Sequence, residues 1–131
     1  MDGEPALAAR KTILFVNGNL TINGVIDVTN GTGYFMAVAS GNITVNGNIV
    51  NAGGPELEGI FVTNQNFITA SDDDRLDIRG MIAAYGMVDL NRSLTDNTTT
   101  PSETVTYAAD LLFNVPSSLQ LKRTRWKEVS P

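Results

Sequence analysis

Cysteine and histidine are both absent from the 131-residue chain. Without cysteine, the protein has neither a disulfide framework nor a thiolate for catalysis or metal binding. Without histidine, it lacks the commonest general base and metal ligand at neutral pH. No apolar run reaches the length of a transmembrane helix. We therefore predict no catalytic site, no metal site, no cofactor and no membrane insertion for this chain.

Positive charge is also scarce, since nine lysines and arginines stand against fourteen acids, for a net charge of −5. This balance argues against wholesale nucleic-acid binding, which needs a basic surface that releases counterions. Four of the cations, Lys122, Arg123, Arg125 and Lys127, lie close together near the C-terminal end. Such a basic tail can dock on the acidic body of the protein, on a neighbouring copy or on an acidic surface, and we favour the first.

What the chain does contain is an internal repeat. The stretch NGNLTINGVIDVTNGTG, residues 17–33, returns in altered form as SGNITVNGNIVNAGG, residues 40–54. Nine positions match at an offset of 23, and six of them are identical. In the first copy these positions are Phe15, Gly18, Asn19, Leu20, Thr21, Ile22, Asn23, Gly24 and Ile26. A match at a fixed offset indicates structural repeats that stack on one another.

A third copy is looser. The second and third copies are related at an offset of 24 through the pairs Val38 and Val62, Asn42 and Asn66, and Ile43 and Phe67. Leu76, Ile78, Gly80 and Ile82 then match the second copy at an offset of 33. The extra residues predict an insertion at 70–75, which we expect to protrude from the stack.

Apolar residues alternate within each copy, as they do in half-buried β-strands. Asn-Gly pairs interrupt these strands and supply the positive φ that corners need. Together with the repeat, this pattern predicts an all-β, single-stranded parallel β-helix (β-solenoid), right-handed because parallel crossovers have that hand. The predicted core comprises Phe15, Leu20, Ile22, Ile26, Ile43, Val45, Ile49, Phe67, Leu76, Ile78 and Ile82. An antiparallel sandwich is the alternative, but hairpin pairing does not require a match at a fixed offset.

The chain length fits one domain, residues 1–131, with capped ends. We predict an N-terminal flank or cap at 1–12, coils at 13–95, and a polar loop followed by a C-terminal cap at 96–131. Capping is expected because the terminal coils of a solenoid expose unpaired strand edges and core. Trp126, the only tryptophan, is expected to pack over the last coil as a lid.

Clustered acids on the predicted insertion are the main candidates for binding a cation. They are Asp72, Asp73, Asp74 and Asp77, in the stretch SDDDRLD. Calcium prefers several oxygen ligands in flexible geometry. Their spacing does not fit the helix–loop–helix calcium motif, and three consecutive acids cannot all face one ion. We favour a solvated loop that binds no ion tightly.

No set of side chains predicts catalysis. Asp27 lies in the first copy, whereas its equivalent in the second copy is Val50, so no acidic ladder follows the stack. Asp77 and Arg79 are two residues apart and fit a surface ion pair of little energetic value. We therefore expect that the protein is not an enzyme.

The second half of the chain resembles a known group of proteins. Residues 59–94, the stretch YAADLLFNVP and the ending TRWKEVSP are similar to the C-terminal β-helical region of surface proteins from candidate-phylum bacteria, which are type IV pilus-associated or adhesin-like. The Asn/Gly-rich first half more distantly resembles the polymer-forming bactofilins. The resemblance implies a structural or adhesive role and no defined active site.

We therefore expect a non-catalytic, extracellular structural or adhesive module of a cell-surface or pilus-like assembly. Its expected partners are other protein subunits, including copies of itself, or a surface glycan. An exporting or anchoring segment is expected to lie outside this chain. The alternative is an intracellular, polymer-forming scaffold of the bactofilin kind, and a carbohydrate-active β-helix enzyme is the third candidate.

Overall fold

The computed structural model of the protein describes residues 10–28 and 31–120. Trp126, the basic tail and most of the N-terminal flank lie outside these described residues. Their predicted capping and docking roles therefore stay predictions.

The described residues form short strands that wind into a β-solenoid. The elements are β1 (Lys11–Val16), β2 (Leu20–Ile22), β3 (Tyr34–Ala39), β4 (Ile43–Val45), β5 (Leu57–Thr63), β6 (Phe67–Thr69), β7 (Leu76–Ala84), β8 (Val88–Asp89), β9 (Glu103–Thr106) and α1 (Ala109–Phe113). Odd-numbered strands form a first sheet in the order β1-β3-β5-β7-β9, and β2-β4-β6-β8 form a second sheet. Every strand pair is parallel, and one strand from each sheet makes one coil, so the chain completes about four coils.

The register confirms the repeat for the first three coils. Leu20 pairs with Ile43, and Ile43 pairs with Phe67, so equivalent apolar residues stack directly. Val38 likewise pairs with Val62 in the first sheet. The all-β, parallel solenoid is therefore confirmed, and the antiparallel sandwich is wrong.

The predicted match of Leu76 and Ile78 with the second copy is wrong. Ile78 pairs with Leu57 in the first sheet and lies only 21 positions after it. Leu76 and Ile78 therefore begin the fourth coil, and residues 70–75 connect two consecutive coils. The sequence alignment mistook the first half of β7 for a strand of the second sheet because both strands alternate apolar residues in the same way.

The core contains most of the residues predicted for it. Nineteen apolar side chains are buried among the described residues, including Leu20, Ile22, Ile26, Ile43, Val45, Ile49, Phe67, Leu76 and Ile78. Ile82 is only half-buried. Phe15 was predicted wrongly, since it is 72% exposed. Successive side chains of a strand point to opposite faces, and the buried Ala37 and Ala39 lie opposite Leu14 and Val16, so Phe15 points outward.

β5 and β7 each contribute to two faces of the solenoid. The amide of Ile26 donates to the carbonyl of Glu56 at 2.9 Å, and the amide of Glu58 donates to the carbonyl of Ile26 at 2.7 Å. The second half of β5 pairs with β3 instead. The chain therefore turns a corner inside β5, at Gly59, and the corner repeats in β7 at Gly80, its register partner.

Asparagine side chains connect the coils at the corner between the two sheets. The Oδ1 of Asn19 accepts the amide of Asn42 at 2.8 Å, and the Oδ1 of Asn42 accepts the amide of Asn66 at 3.0 Å. The Oδ1 of Asn66 accepts the amide of Met87 at 3.0 Å. This asparagine ladder explains why the repeat keeps asparagine at these three positions, and it ends at Met87, whose side chain has no amide.

The C-terminal side of the stack is covered unevenly by the described residues. β9 extends the first sheet beyond β7. Ala108, which directly precedes α1, and Leu111, within α1, are buried. Val88 occupies a stacking position above Phe67 but is 46% exposed. The first sheet is thus covered at this end, whereas the described part of the second sheet is open. No helix of the described part has the length and apolar character needed to cross a bilayer.

Candidate functional site: an apolar groove and a charged cleft

An apolar groove of about 540 Å³ lies on the outer face of the first sheet. Its apolar floor contains Phe15, Val38 and Val62. These side chains form one outward row, because Phe15 pairs with Val38, and Val38 pairs with Val62. Ala83 continues the row in the fourth coil and helps line a second depression of about 330 Å³. The groove therefore follows the stacking axis across successive coils.

A polar row forms one side of this groove. It consists of Asn17, Ser40 and Asn64, followed by Tyr85 in the fourth coil. Their backbone positions are equivalent, since the amides of Ser40, Asn64 and Tyr85 each donate to a carbonyl of the preceding coil at 3.0 Å. Ser40 also donates its hydroxyl to the Oδ1 of Asn17 at 3.2 Å. The Ser40 hydroxyl also accepts the amide of Gly18 at 2.8 Å, so the row offers chiefly the side-chain amides of Asn17 and Asn64 to a ligand.

Two exposed aromatic rings lie at opposite ends of the groove. Phe15, in the first coil, is 72% exposed, and Tyr85, in the fourth coil, is 87% exposed. Water contact of two large rings is unfavourable, and exposed apolar patches mark interaction sites more often than other surfaces do. The groove is therefore the strongest candidate for a binding surface among the described residues.

Sequence reasoning missed this groove because it placed Phe15 in the core. A signal was present in β3, whose sequence YFMAVA is apolar at all six positions. A strand with one wet face alternates apolar and polar residues, whereas an unbroken apolar run indicates that both faces contact something.

A charged cleft of about 330 Å³ lies at the corner that β5 and β7 turn. Asp27, Glu58 and Arg79 line it. Glu58 is buried, and its Oε2 accepts the amide of Val28 at 2.8 Å. The Nη1 of Arg79 lies 3.4 Å from the Oε1 of Glu58, and its Nη2 forms an ion pair with Asp110 of α1. Asp110 in turn accepts the amide of Gly31 at 3.2 Å.

Burial and hydrogen bonding shift the pKa values of Glu58 and Asp110, the two carboxyl partners of Arg79, in opposite directions. Burial raises the pKa of Glu58, and the nearby Asp27 acts in the same direction, against the Val28 amide and Arg79. Partial burial also opposes ionisation of Asp110, but the bonds from Arg79 and Gly31 outweigh it and lower the pKa of Asp110. Arg79 and Asp110 therefore form a charged pair beside a carboxyl group that resists ionisation.

Sequence reasoning assigned the wrong neighbours to these charges. Asp27 was aligned with Val50, but Ile26 bridges to Leu57, which brings Asp27 beside Glu58. Chain proximity suggested an ion pair between Asp77 and Arg79.

The predicted ion pair between Asp77 and Arg79 is also wrong. Asp77 pairs with Arg75, with 2.9 Å between Nε and Oδ1, and Arg79 reaches Glu58 and Asp110 instead. For Arg79, the register partner on the adjacent strand, Glu58, lies closer than the next outward position on its own strand, so the contact between strands forms instead.

The acidic connection at 70–75 does not simply protrude. The Oδ2 of Asp72 accepts the amide of Asn48 at 2.7 Å and lies 3.5 Å from the Nη1 of Arg92. Arg92 is buried and donates from Nη2 to the carbonyl of Asn46 at 2.7 Å. Hydrogen bonds from the amides of Asp74 and Asn48 lower the pKa of Asp72. Asp72 therefore attaches this connection to the second coil, and its predicted protrusion is wrong at that residue.

The carboxylates of Asp72, Asp73 and Asp74 lie within 4.8 Å of one another. One of the three already faces the guanidinium of Arg92, whose positive charge opposes a cation at the same oxygen. The cluster therefore resembles an anchored loop more than a ligand set.

Comparison with models of protein families, with curated proteins and with solved structures gives no match. The interpretation of both surfaces therefore depends on their own geometry.

Proposed function

We propose that this chain is a non-catalytic structural or adhesive module of an extracellular, cell-surface assembly. The observation that supports this proposal is the apolar groove, which exposes Phe15 and Tyr85 along the axis of a stack of coils. An uncharged, elongated surface fits contact with an extended partner or a neighbouring subunit. The stacked coils supply a rigid support for that surface, since each coil is held by parallel pairing and the asparagine ladder.

The charged cleft supports a structural role of its own. Glu58 accepts the amide of Val28, and Asp110 accepts the amide of Gly31 while it pairs with Arg79. These bonds attach Val28 to β5, and they attach α1 both to Gly31 and to β7. Each charged group therefore has a packing role that does not require a substrate.

A polymer-forming scaffold is the alternative, and one observation favours it. Val88 and Leu90 are each 46% exposed at the end of the second sheet that the described residues leave uncovered, and a coil from another copy would bury them. Two features oppose simple end-to-end stacking. β9 and α1 cover the first sheet, and the asparagine ladder ends at Met87.

A carbohydrate-active enzyme is the third candidate, and the proximity of Asp27 and Glu58 in a cleft favours it. A pair of carboxyl groups that flank the scissile bond is the usual machinery of sugar-polymer hydrolysis. The direct interaction between the two groups leaves little room for a substrate atom or water between them, so we place this function below the other two.

Size-exclusion chromatography with light scattering, followed by electron microscopy of concentrated protein, tests the proposal. We expect no regular filaments from this chain alone and retention of the protein on at least one class of surface glycan or protein subunit. Regular filaments of stacked solenoids would favour the scaffold. Hydrolysis of any sugar polymer that disappears in a Glu58→Gln variant would overturn the non-catalytic proposal.

A further inference from the structure

We propose that the apolar groove binds a neutral, extended polysaccharide whose chain runs parallel to the stacking axis. The inference depends on the adhesive form of the proposed function and names its ligand class. It is supported by the charge of the groove, the spacing of its polar row and the position of its two aromatic rings.

The charge of the groove favours a neutral ligand. Its lining residues are apolar, amide, hydroxyl or phenol side chains, with no lysine, arginine, aspartate or glutamate among them. The whole chain carries a net charge of −5. An acidic polysaccharide would therefore meet repulsion from the body and find no cation in the groove, whereas a neutral polysaccharide meets neither obstacle.

The polar row has the spacing of a repeating ligand. Asn17, Ser40 and Asn64 occupy equivalent positions in consecutive coils, and stacked parallel strands lie about 4.8 Å apart. That step is close to the length of one pyranose ring in an extended polysaccharide. Successive sugars can therefore meet the side-chain amide of Asn17, the remaining lone pair of the Ser40 hydroxyl and the side-chain amide of Asn64, since sugars present both donors and acceptors along one edge.

The aromatic rings suit the apolar faces of sugars. Along the stacking axis, Phe15 and Tyr85 are three coil steps apart, or about 14 Å, which is the length of about three sugar rings. Tyr85 lies in the neighbouring polar row, two residues after Ala83, which continues the row of Phe15. The C–H groups of a pyranose face pack on an aromatic ring, and the side chains of Val38 and Val62 form an apolar floor between the two rings. A protein partner would also cover this floor, but a polar row that repeats once per coil suits a ligand whose own polar groups repeat at that step.

Isothermal titration with neutral hexasaccharides of glucose, mannose and N-acetylglucosamine, with hexagalacturonate as the acidic comparison, tests this inference. We expect at least one neutral hexasaccharide to bind and the acidic one not to bind. Tyr85→Ala and Phe15→Ala should each weaken binding by about tenfold, because each removes one stacking ring. Phe113→Ala and Tyr107→Ala are the matched controls, since these rings are 84% and 60% exposed but lie outside the groove lining.

The outcomes separate the groove from the broader function. Binding that survives Tyr85→Ala and Phe15→Ala but is lost in one of the control variants would overturn the groove assignment and leave adhesion intact. Binding of the acidic hexasaccharide alone would overturn the neutral-ligand inference. Failure of every hexasaccharide, together with self-association that Tyr85→Ala abolishes, would show that the groove contacts a second copy. Circular dichroism of each variant checks that the loss of binding does not come from unfolding.

Discussion

Gly80 stacks on Gly59 so closely that a Cβ atom built on Gly80 would lie 1.8 Å from the carbonyl oxygen of Gly59. The two residues are register partners in β7 and β5, with φ values of 150° and 153°. No other residue type fits this contact without movement of the backbone. The corner that both strands turn, and hence the position of the charged cleft, depends on this glycine pair.

Replacement of Gly80 should therefore destabilise the solenoid. We expect Gly80→Ala to lower the free energy of unfolding by about 3 kcal/mol, from overpacking and from strain at a positive φ. Urea denaturation followed by circular dichroism measures the change. Gly53→Ala is the control, because a Cβ there meets nothing closer than 3.8 Å. Equal stability of the two variants would contradict the role given to the corner.

The asparagine ladder predicts a second stability effect. Asn42→Ala removes the acceptor of the Asn66 amide, which leaves that half-buried N–H group without its bond. We expect a loss of about 1–3 kcal/mol in the free energy of unfolding. Asn42→Asp retains an oxygen at the same position and should lose less than half as much. If both variants lose the same amount, the side-chain acceptor is not what stabilises this corner.

Asp110 should make stability depend on pH in the acidic range. Its pKa is lowered in the folded state, despite partial burial, by the bonds from Arg79 and Gly31. Its contribution is therefore present above the unfolded pKa, about 3.9, and is lost as the pH falls through the lower folded pKa. Asp110→Asn should be less stable than the wild type at pH 7, and the gap should narrow below about pH 4. A gap that does not change with pH would contradict the ion pair.

Glu58 should act in the opposite direction. Burial raises its folded pKa, so its contribution is fully present below the unfolded pKa and is lost as the pH rises through the folded value. Glu58→Gln retains an acceptor for the Val28 amide but removes this ionisation. The variant should gain stability relative to the wild type as the pH rises above about 4.3. Thermal unfolding at a series of pH values measures the difference, and a relative loss for the variant at pH 7 would contradict it.

The acidic connection should bind calcium weakly or not at all. Arg92 lies 3.5 Å from the Oδ2 of Asp72 and opposes a second cation there. We expect no heat of binding when calcium is titrated at submillimolar concentrations. Binding in that range that disappears in Asp73→Asn would show that Asp73 and Asp74 form a site despite Arg92.

Stacked residues were easier to predict than lateral neighbours. Leu20, Ile43 and Phe67 were found from the sequence because identical coils place equivalent residues above one another. Asp27 and Glu58 were not found, because Ile26 of the first coil bridges to Leu57 rather than to a residue of the second coil, whose Asn51 and Pro55 line the charged cleft instead. An alignment at one fixed offset cannot show a pairing that passes over the intervening coil.

The groove was missed for a related reason. Phe15 matches Val38 in the repeat, and the match itself is correct. The match does not tell whether the row faces the core or the solvent, because β3 is apolar on both faces. Phe15 lies outside because it alternates along β1 with Leu14 and Val16, the register partners of the buried Ala37 and Ala39.

The sequence by itself determined that the coils are parallel and stacked, because only stacking requires the same residues at a fixed spacing. It also determined most of the core, since those positions are apolar both in the alternation along each strand and in the repeat. The tertiary structure alone decided which face of the first sheet is exposed and which charges meet at the corner. Those features depend on which alternate residues of each strand face inward and on the path of the chain between strands. The local residue pattern determines neither.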